Sequence, residues 1–254
     1  MRFGLLVLDS HCHLDDPRYG GILEEVEGRR LAVGVRVLVP GVGRDGWARL
    51  RATAGLRGWL FAVGTHPERL LGAASPVPED CAGAAAVGET GLHRPSDVPM
   101  AQQIAVLLGH LEVARAAHLP VILHCVRAHD VLAPTIRRFA GGRPIRGVVH
   151  SYSGGAALVP VYEALGLHLS FGGAITWKGA RRPVEALRRV RPERVLLESD
   201  GPDQRPQLEG PPWGTQSEPA MLPEIAEIAA RLRGEAAEVF SRQLAANAAE
   251  LGWA

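Results

Sequence analysis

Eight short apolar runs punctuate the chain: LLVLD at residues 5–9, VRVLVP at 35–40, WLFAVG at 59–64, AAAVGE at 84–89, PVILH at 120–124, GVVH at 147–150, HLSFGG at 168–173 and RVLLESD at 194–200. Each has the length of a strand and little polar alternation, the pattern of strands buried on both faces. Between them the apolar spacing changes to three and four, as at Ile104, Leu107, Leu108 and Leu111, or Ile225, Ile228 and Leu232. That spacing predicts amphipathic helices. Strand followed by helix, repeated eight times in this length, predicts a closed (β/α)8 TIM barrel formed by one domain over residues 1–254, with an extra helix from about Glu235 to Leu251. The aperiodic stretch Gly201 to Pro219, rich in proline and glycine, predicts a loop over one end.

Composition narrows the setting. The 254 residues are 46% apolar and carry a formal net charge of +1, so the surface as a whole is not built to grip a long polyanion. Three scattered cysteines make no disulfide framework, and the first apolar run is too short to be a signal-peptide core or a membrane span. A cytoplasmic protein that does not bind membranes is expected.

The polar residues then change the picture, because they fall where the strands end. His11 and His13 follow the first run, His66 the third, Glu89 closes the fourth, His124 the fifth, His150 the sixth and Asp200 the eighth. In a barrel these positions share the C-terminal mouth, where sites are built. In an extended chain His11 and His13 face one way and Cys12 the other. Four histidines and two carboxylates exceed what one tetrahedral ion with an open position needs, but they suit two divalent ions of zinc, magnesium or manganese. His11, His13 and Asp200 are the expected ligands of one ion, His124 and His150 of the second, with Glu89 bridging. Two such ions clamp the attacking and leaving oxygens and lower the pKa of a shared water, and Asp200 is placed to take its proton.

Seven motifs occur in an order that resembles the TatD-type metal-dependent deoxyribonucleases of the amidohydrolase-like superfamily. They are DSHCHLDD, GTHPE, VGETGL, LPVILHC, VVHSYSG, LSFGGAIT and LLESDGP, and they span nearly the whole chain. The resemblance implies a two-metal hydrolase, often one trimming DNA from the 3′ end, with the six residues above in the metal positions and His66 near the substrate phosphate. Three positions depart from the family pattern: His93 where an aspartate is common, Val126 followed by Arg127 where many members place an arginine one residue earlier, and Asp203 where a tyrosine is frequent. They bear on the substrate rather than on the metal ligands.

Around the mouth, Lys178 (the only lysine among 28 basic residues), Arg127 and Arg205 are candidates for phosphate contacts, and Trp177 and Trp213 for base stacking. GVGRDG at 41–46 fits a dinucleotide fingerprint, but the next strand ends in Thr65 and His66 rather than an acid, so it reads as a turn. His110, His118 and His168 receive no role. A phosphodiesterase acting on single-stranded DNA or a nucleotide-like substrate is the leading expectation. A small-molecule hydrolase of amides, lactones or phosphoesters is the alternative, and a barrel that serves mainly to bind partner proteins is a third.

Overall fold

The computed structural model describes residues 7–70, 77–209 and 214–254. Eight parallel strands form one sheet in chain order: β1 (Val7–Asp9), β2 (Val35–Pro40), β3 (Leu60–Val63), β4 (Ala86–His93), β5 (Val121–Val126), β6 (Gly147–Val149), β7 (Leu167–Phe171) and β8 (Val195–Leu197). The ring is drawn shut between β8 and β1, where the Ser10 N–H and hydroxyl both donate to the Leu197 carbonyl and the Asp200 N–H donates to the His11 carbonyl. All eight apolar runs are strands of the barrel.

The helices α1 (Leu23–Ala32), α2 (Arg44–Arg57), α3 (Met100–Ala117), α4 (His129–Ala140), α5 (Val159–Ala164), α6 (Arg181–Arg189), α7 (Leu222–Arg233) and the extra α8 (Ala237–Glu250) follow in order. Seven of the eight strands are followed by an α-helix among the described residues. Among the described residues between β3 and β4 there is a single 3-10 turn, Pro67–Arg69, and no α-helix. This connection contains Pro67, Pro76 and Pro78 together with Gly72, a composition that breaks helices. Among the described residues no helix is long and apolar enough to cross a membrane.

Inside the ring, Leu8, Leu38, Ala62, Ala86, Ile122, Val148 and Leu196 form one buried layer, and Ala248, Leu251 and Trp253 close it from below. The Trp253 indole N–H donates to the Ala85 carbonyl at 3.0 Å, so the extra helix and the residues after it seal the barrel floor. Strand β4 is the irregular one. Its pairing with β5 shifts between Val87 and Thr90, and Gly88 and Gly91 sit at φ +151° and +152°. A Cβ on Gly91 would lie 2.0 Å from the His124 carbonyl oxygen, so only glycine lets these two strands approach closely enough to set Glu89 beside His124.

Two histidines without an assigned role are buried structural groups. On β7, His168 pairs in register with Val148, its ring nitrogens make no hydrogen bond among the described residues although Nε2 lies 3.8 Å from Glu250 Oε2, and burial lowers its pKa to about 4. On α3, His110 donates from Nδ1 to the Val106 carbonyl and accepts the Thr65 N–H at Nε2, and burial lowers it to about 4 as well. Both are neutral in the folded chain and ordinary in the unfolded one. The unfolded state therefore takes up protons first, and stability present above pH 6.5 is lost as pH falls toward 4. Denaturant titrations at pH 7.5 and 5.0 should show His168→Leu flattening this loss by about 2 kcal/mol. An unchanged pH dependence in the variant would contradict the assignment.

Candidate metal centre

The Glu89 carboxylate stands at the centre of the mouth, 2% exposed, and its two oxygens face different partners. Oε2 lies 3.4 Å from His11 Nε2 and 3.6 Å from His13 Nε2. Oε1 lies 2.7 Å from His124 Nδ1, 2.8 Å from His150 Nε2 and 3.5 Å from His66 Nε2. Asp200 Oδ1 approaches His11 Nε2 at 3.7 Å, on the side of the first pair. The fold thus brings all six expected ligands and His66 into one cluster. One boundary differs: Glu89 does not close β4 but lies in its middle, since pairing with β5 continues through His93.

The backbone explains the convergence. His13 donates its N–H to the Gly201 carbonyl and Asp200 donates its own to the His11 carbonyl, so the ends of β1 and β8 hold each other. Beneath them the buried Asp9 accepts from the N–H groups of His11 and Ser199 at 3.3 and 2.9 Å. Cys12 turns away from the cluster, its thiol 3.6 Å from the Gly201 carbonyl. Burial raises the Cys12 thiol pKa well above its usual value and pushes Cys125 up to about 12, which leaves neither thiolate available as a nucleophile.

The electrostatics match a cation-binding ring. Burial and neighbouring His150 lower His11 to about 4, and burial lowers His66 to about 3, so both rings are neutral at neutral pH. Burial opposes charge on Glu89, yet His150, His66 and His11 together hold it well below the usual carboxylate range. Burial likewise opposes a proton on His150, but Glu89 and Glu198 outweigh it and raise this imidazole well above its normal value. Asp200 is raised well above the carboxylate range, by burial first, with Glu198 and Glu89 adding to it. Nitrogen faces nitrogen at 3.1 Å between His11 and His13 and again between His124 and His150. Such a set of nitrogen and oxygen donors, with lone pairs converging, fits divalent cations.

Behind the ring stand residues that were not singled out in the sequence. Glu198 is fully buried, accepts the Ser151 N–H at 2.6 Å and lies 3.6 Å from His150 Nδ1, the nitrogen turned away from Glu89. Gln204 donates to Asp200 Oδ2. The glutamate in LLESD was the available signal, since a charged side chain at a strand end must find a partner once buried.

From this cluster an open groove of about 510 Å³ runs out along the β1 to β3 side, lined by Gly41 to Gly43, Asp15, Asp16, Arg18, Arg49, Glu68 and Arg69 among others. GVGRDG is the turn into α2 and forms one wall. The proposed outer contacts lie elsewhere. Trp177 is 42% exposed and donates its indole N–H to the Arg205 carbonyl, tying the β7 loop to the β8 loop. Arg205 donates from Nε to the Gly214 carbonyl, the Lys178 backbone N–H donates to Gln207, and Arg127 is exposed at φ +53°. None of these four lines the groove. Trp213 falls outside the described residues. Arg18, which does line the groove, is held in a double ion pair by Asp16 and by Asp203.

A parallel barrel with imidazoles and carboxylates gathered at its C-terminal mouth defines a metal-dependent hydrolase. The chain belongs to the TatD-related deoxyribonucleases: residues 8–251 match the family model described as TatD related DNase. It is 32% identical over 257 residues to the metal-dependent hydrolase YjjV of Escherichia coli K12, covering 94% of this chain and 95% of that protein. The crystal structure of that TatD homologue superposes with a TM-score of 0.86 over 96% of this chain and 97% of its own. Similarity also extends to the 3′-5′ ssDNA/RNA exonuclease TatD of Erwinia billingiae, 36% identical over 181 residues, which cover 65% of this chain and 64% of that protein.

Proposed function

We propose that this protein hydrolyses phosphodiester bonds, releasing nucleotides from the 3′ end of single-stranded DNA with two divalent ions. His11, His13 and Asp200 would hold the first ion and His124 and His150 the second, with Glu89 serving both. The observation that carries this reading is the split of the Glu89 carboxylate, Oε2 toward His11 and His13 and Oε1 toward His124 and His150. Bound there, two divalent cations lower the pKa of a shared water and neutralise charge developing on phosphoryl oxygens.

The chain's own residues do the rest. Asp200, whose Oδ1 faces the His11 side of the cluster, is the carboxylate placed to accept the proton of the attacking water. The Glu68 N–H donates to His66 Nδ1, which places the His66 proton on Nε2, facing into the site. That N–H is a ready donor to a non-reacting phosphoryl oxygen. The groove is lined by both arginines and carboxylates, so it attracts a strand end weakly and the charge that grips the phosphate is concentrated at the cluster. Lys178, Arg127, Arg205 and the open face of Trp177 are assigned to the strand farther from the cleaved bond.

End-labelled single-stranded oligonucleotides, incubated with Mg²⁺, Mn²⁺ or Zn²⁺ beside a panel of lactones and amides, test the reading. Mononucleotides should leave from the 3′ end, and chelation should stop their release. Turnover of a lactone or amide with the oligonucleotides left intact would favour the small-molecule hydrolase and contradict the proposal.

A further inference from the structure

The two ring nitrogens of His124 have opposite surroundings. Nδ1 points into the cluster, 2.7 Å from Glu89 Oε1 and 3.1 Å from His150 Nε2. Nε2 points out of it and lies 2.9 Å from Nδ1 of His93, whose ring is inclined by only 15° to that of His124. A neutral imidazole carries one N–H and one lone pair. For Nδ1 to present its lone pair to an ion, the proton must sit on Nε2 and be donated to His93. The His93 proton is then confined to its own Nε2, which lies 3.8 Å from Glu68 Oε1.

His93 is rigidly built into place. It is the last residue of β4, and its backbone N–H donates to Gln103 Oε1 at 2.7 Å. The Gln103 amide N–H group returns bonds to the His93 and Val98 carbonyls at 3.2 and 2.8 Å, and this glutamine is 1% exposed. A buried amide on α3 therefore fixes the strand end that carries the ring. On the other second-ion ligand, His150, the outward nitrogen meets a buried carboxylate, Glu198. On His124 it meets a neutral ring, with the exposed Glu68 one imidazole farther out.

We infer that His93 is a positioning residue for the second ion: it accepts the His124 Nε2–H and so holds that ring in the tautomer that presents a bare Nδ1 to the ion. The inference rests on the ligand assignment proposed above. Partners in this outer position typically change metal affinity 10- to 100-fold when removed. His93→Leu takes away the acceptor, whereas His93→Asn and His93→Asp each keep an oxygen able to accept from His124.

Two readouts decide it. The first is the protection of the His124 Nε2–H from exchange with water in Zn²⁺-loaded protein, from nitrogen-15 NMR, and the second is calorimetric titration with Zn²⁺. The native chain and the Asn and Asp variants should show a slowly exchanging His124 Nε2–H, and the Leu variant a rapidly exchanging one. The Leu variant should bind the second ion about 10- to 100-fold more weakly while the first step is unchanged. Thermal melts separate misfolding from this effect, since the Asn variant keeps the acceptor with a similar shape. Unaltered exchange and an unaltered second binding step in a folded Leu variant would overturn the inference, as would failure of both Asn and Asp to restore them. A native chain that takes up no ion would overturn the ligand assignment and this inference with it, whereas native uptake with an unchanged Leu variant overturns the role of His93 alone.

Discussion

Asp200→Asn should lower kcat on single-stranded DNA by about 10³, the usual scale for loss of a positioned general base. The substitution keeps the side chain's shape and leaves the Asp200 N–H to His11 carbonyl bond intact, so the fold around β1 and β8 is unchanged. The pocket itself disfavours the carboxylate, because burial with Glu198 and Glu89 nearby raises its pKa well above the ordinary range. The ion-free variant should therefore melt no lower than the native chain, separating catalysis from stability. Steady-state rates and a thermal melt measured side by side check both halves. Equal activity in the variant would remove Asp200 from the chemistry.

Glu89→Gln carries the second large effect and acts on binding as well as rate. A neutral amide cannot share two anionic oxygens between the His11/His13 pair and the His124/His150 pair, so uptake of both ions should fall together, and turnover with it by about 10³ or more. In the ion-free chain the same change leaves the proton on His150 facing no carboxylate at Glu89's position, a loss of roughly 3 to 5 kcal/mol for a broken buried pair. The linkage fixes its pH range. Glu89 is depressed in the folded state, so its contribution is present above the normal glutamate value near 4.5 and fades as pH falls through the lower folded value. Metal content after gel filtration, with denaturant titrations at pH 7 and pH 3, reads both. A variant holding two ions at native affinity would show that Glu89 does not bridge.

Much of this protein is legible in its sequence because a parallel barrel repeats one simple code. Apolar runs mark the strands, and a polar residue where a run ends marks the mouth, which is why His11, His13, His124, His150 and Asp200 could be placed together from numbering alone. Glu89 lies in the middle of its strand rather than at its end, since the Gly88 and Gly91 irregularity lets β4 continue where its composition suggests an end.

The supporting residues were less visible for a physical reason. Asp9, Glu198 and Gln103 act through a few hydrogen bonds to the backbone of neighbouring strands and loops, and a single acid or amide carries no periodicity. The groove arginines were hidden by composition: in a chain with a single lysine, Arg18, Arg49 and Arg69 look like every other basic residue until the loops of β1 to β3 bring them to one wall.

An anomalous-difference map from crystals grown with Mn²⁺ tests the paired-ion centre most directly. Two peaks flanking the Glu89 carboxylate are predicted, one beside His11, His13 and Asp200, the other beside His124 and His150. A map with no density against Glu89, or with a single ion that both sets of imidazoles share, would contradict it.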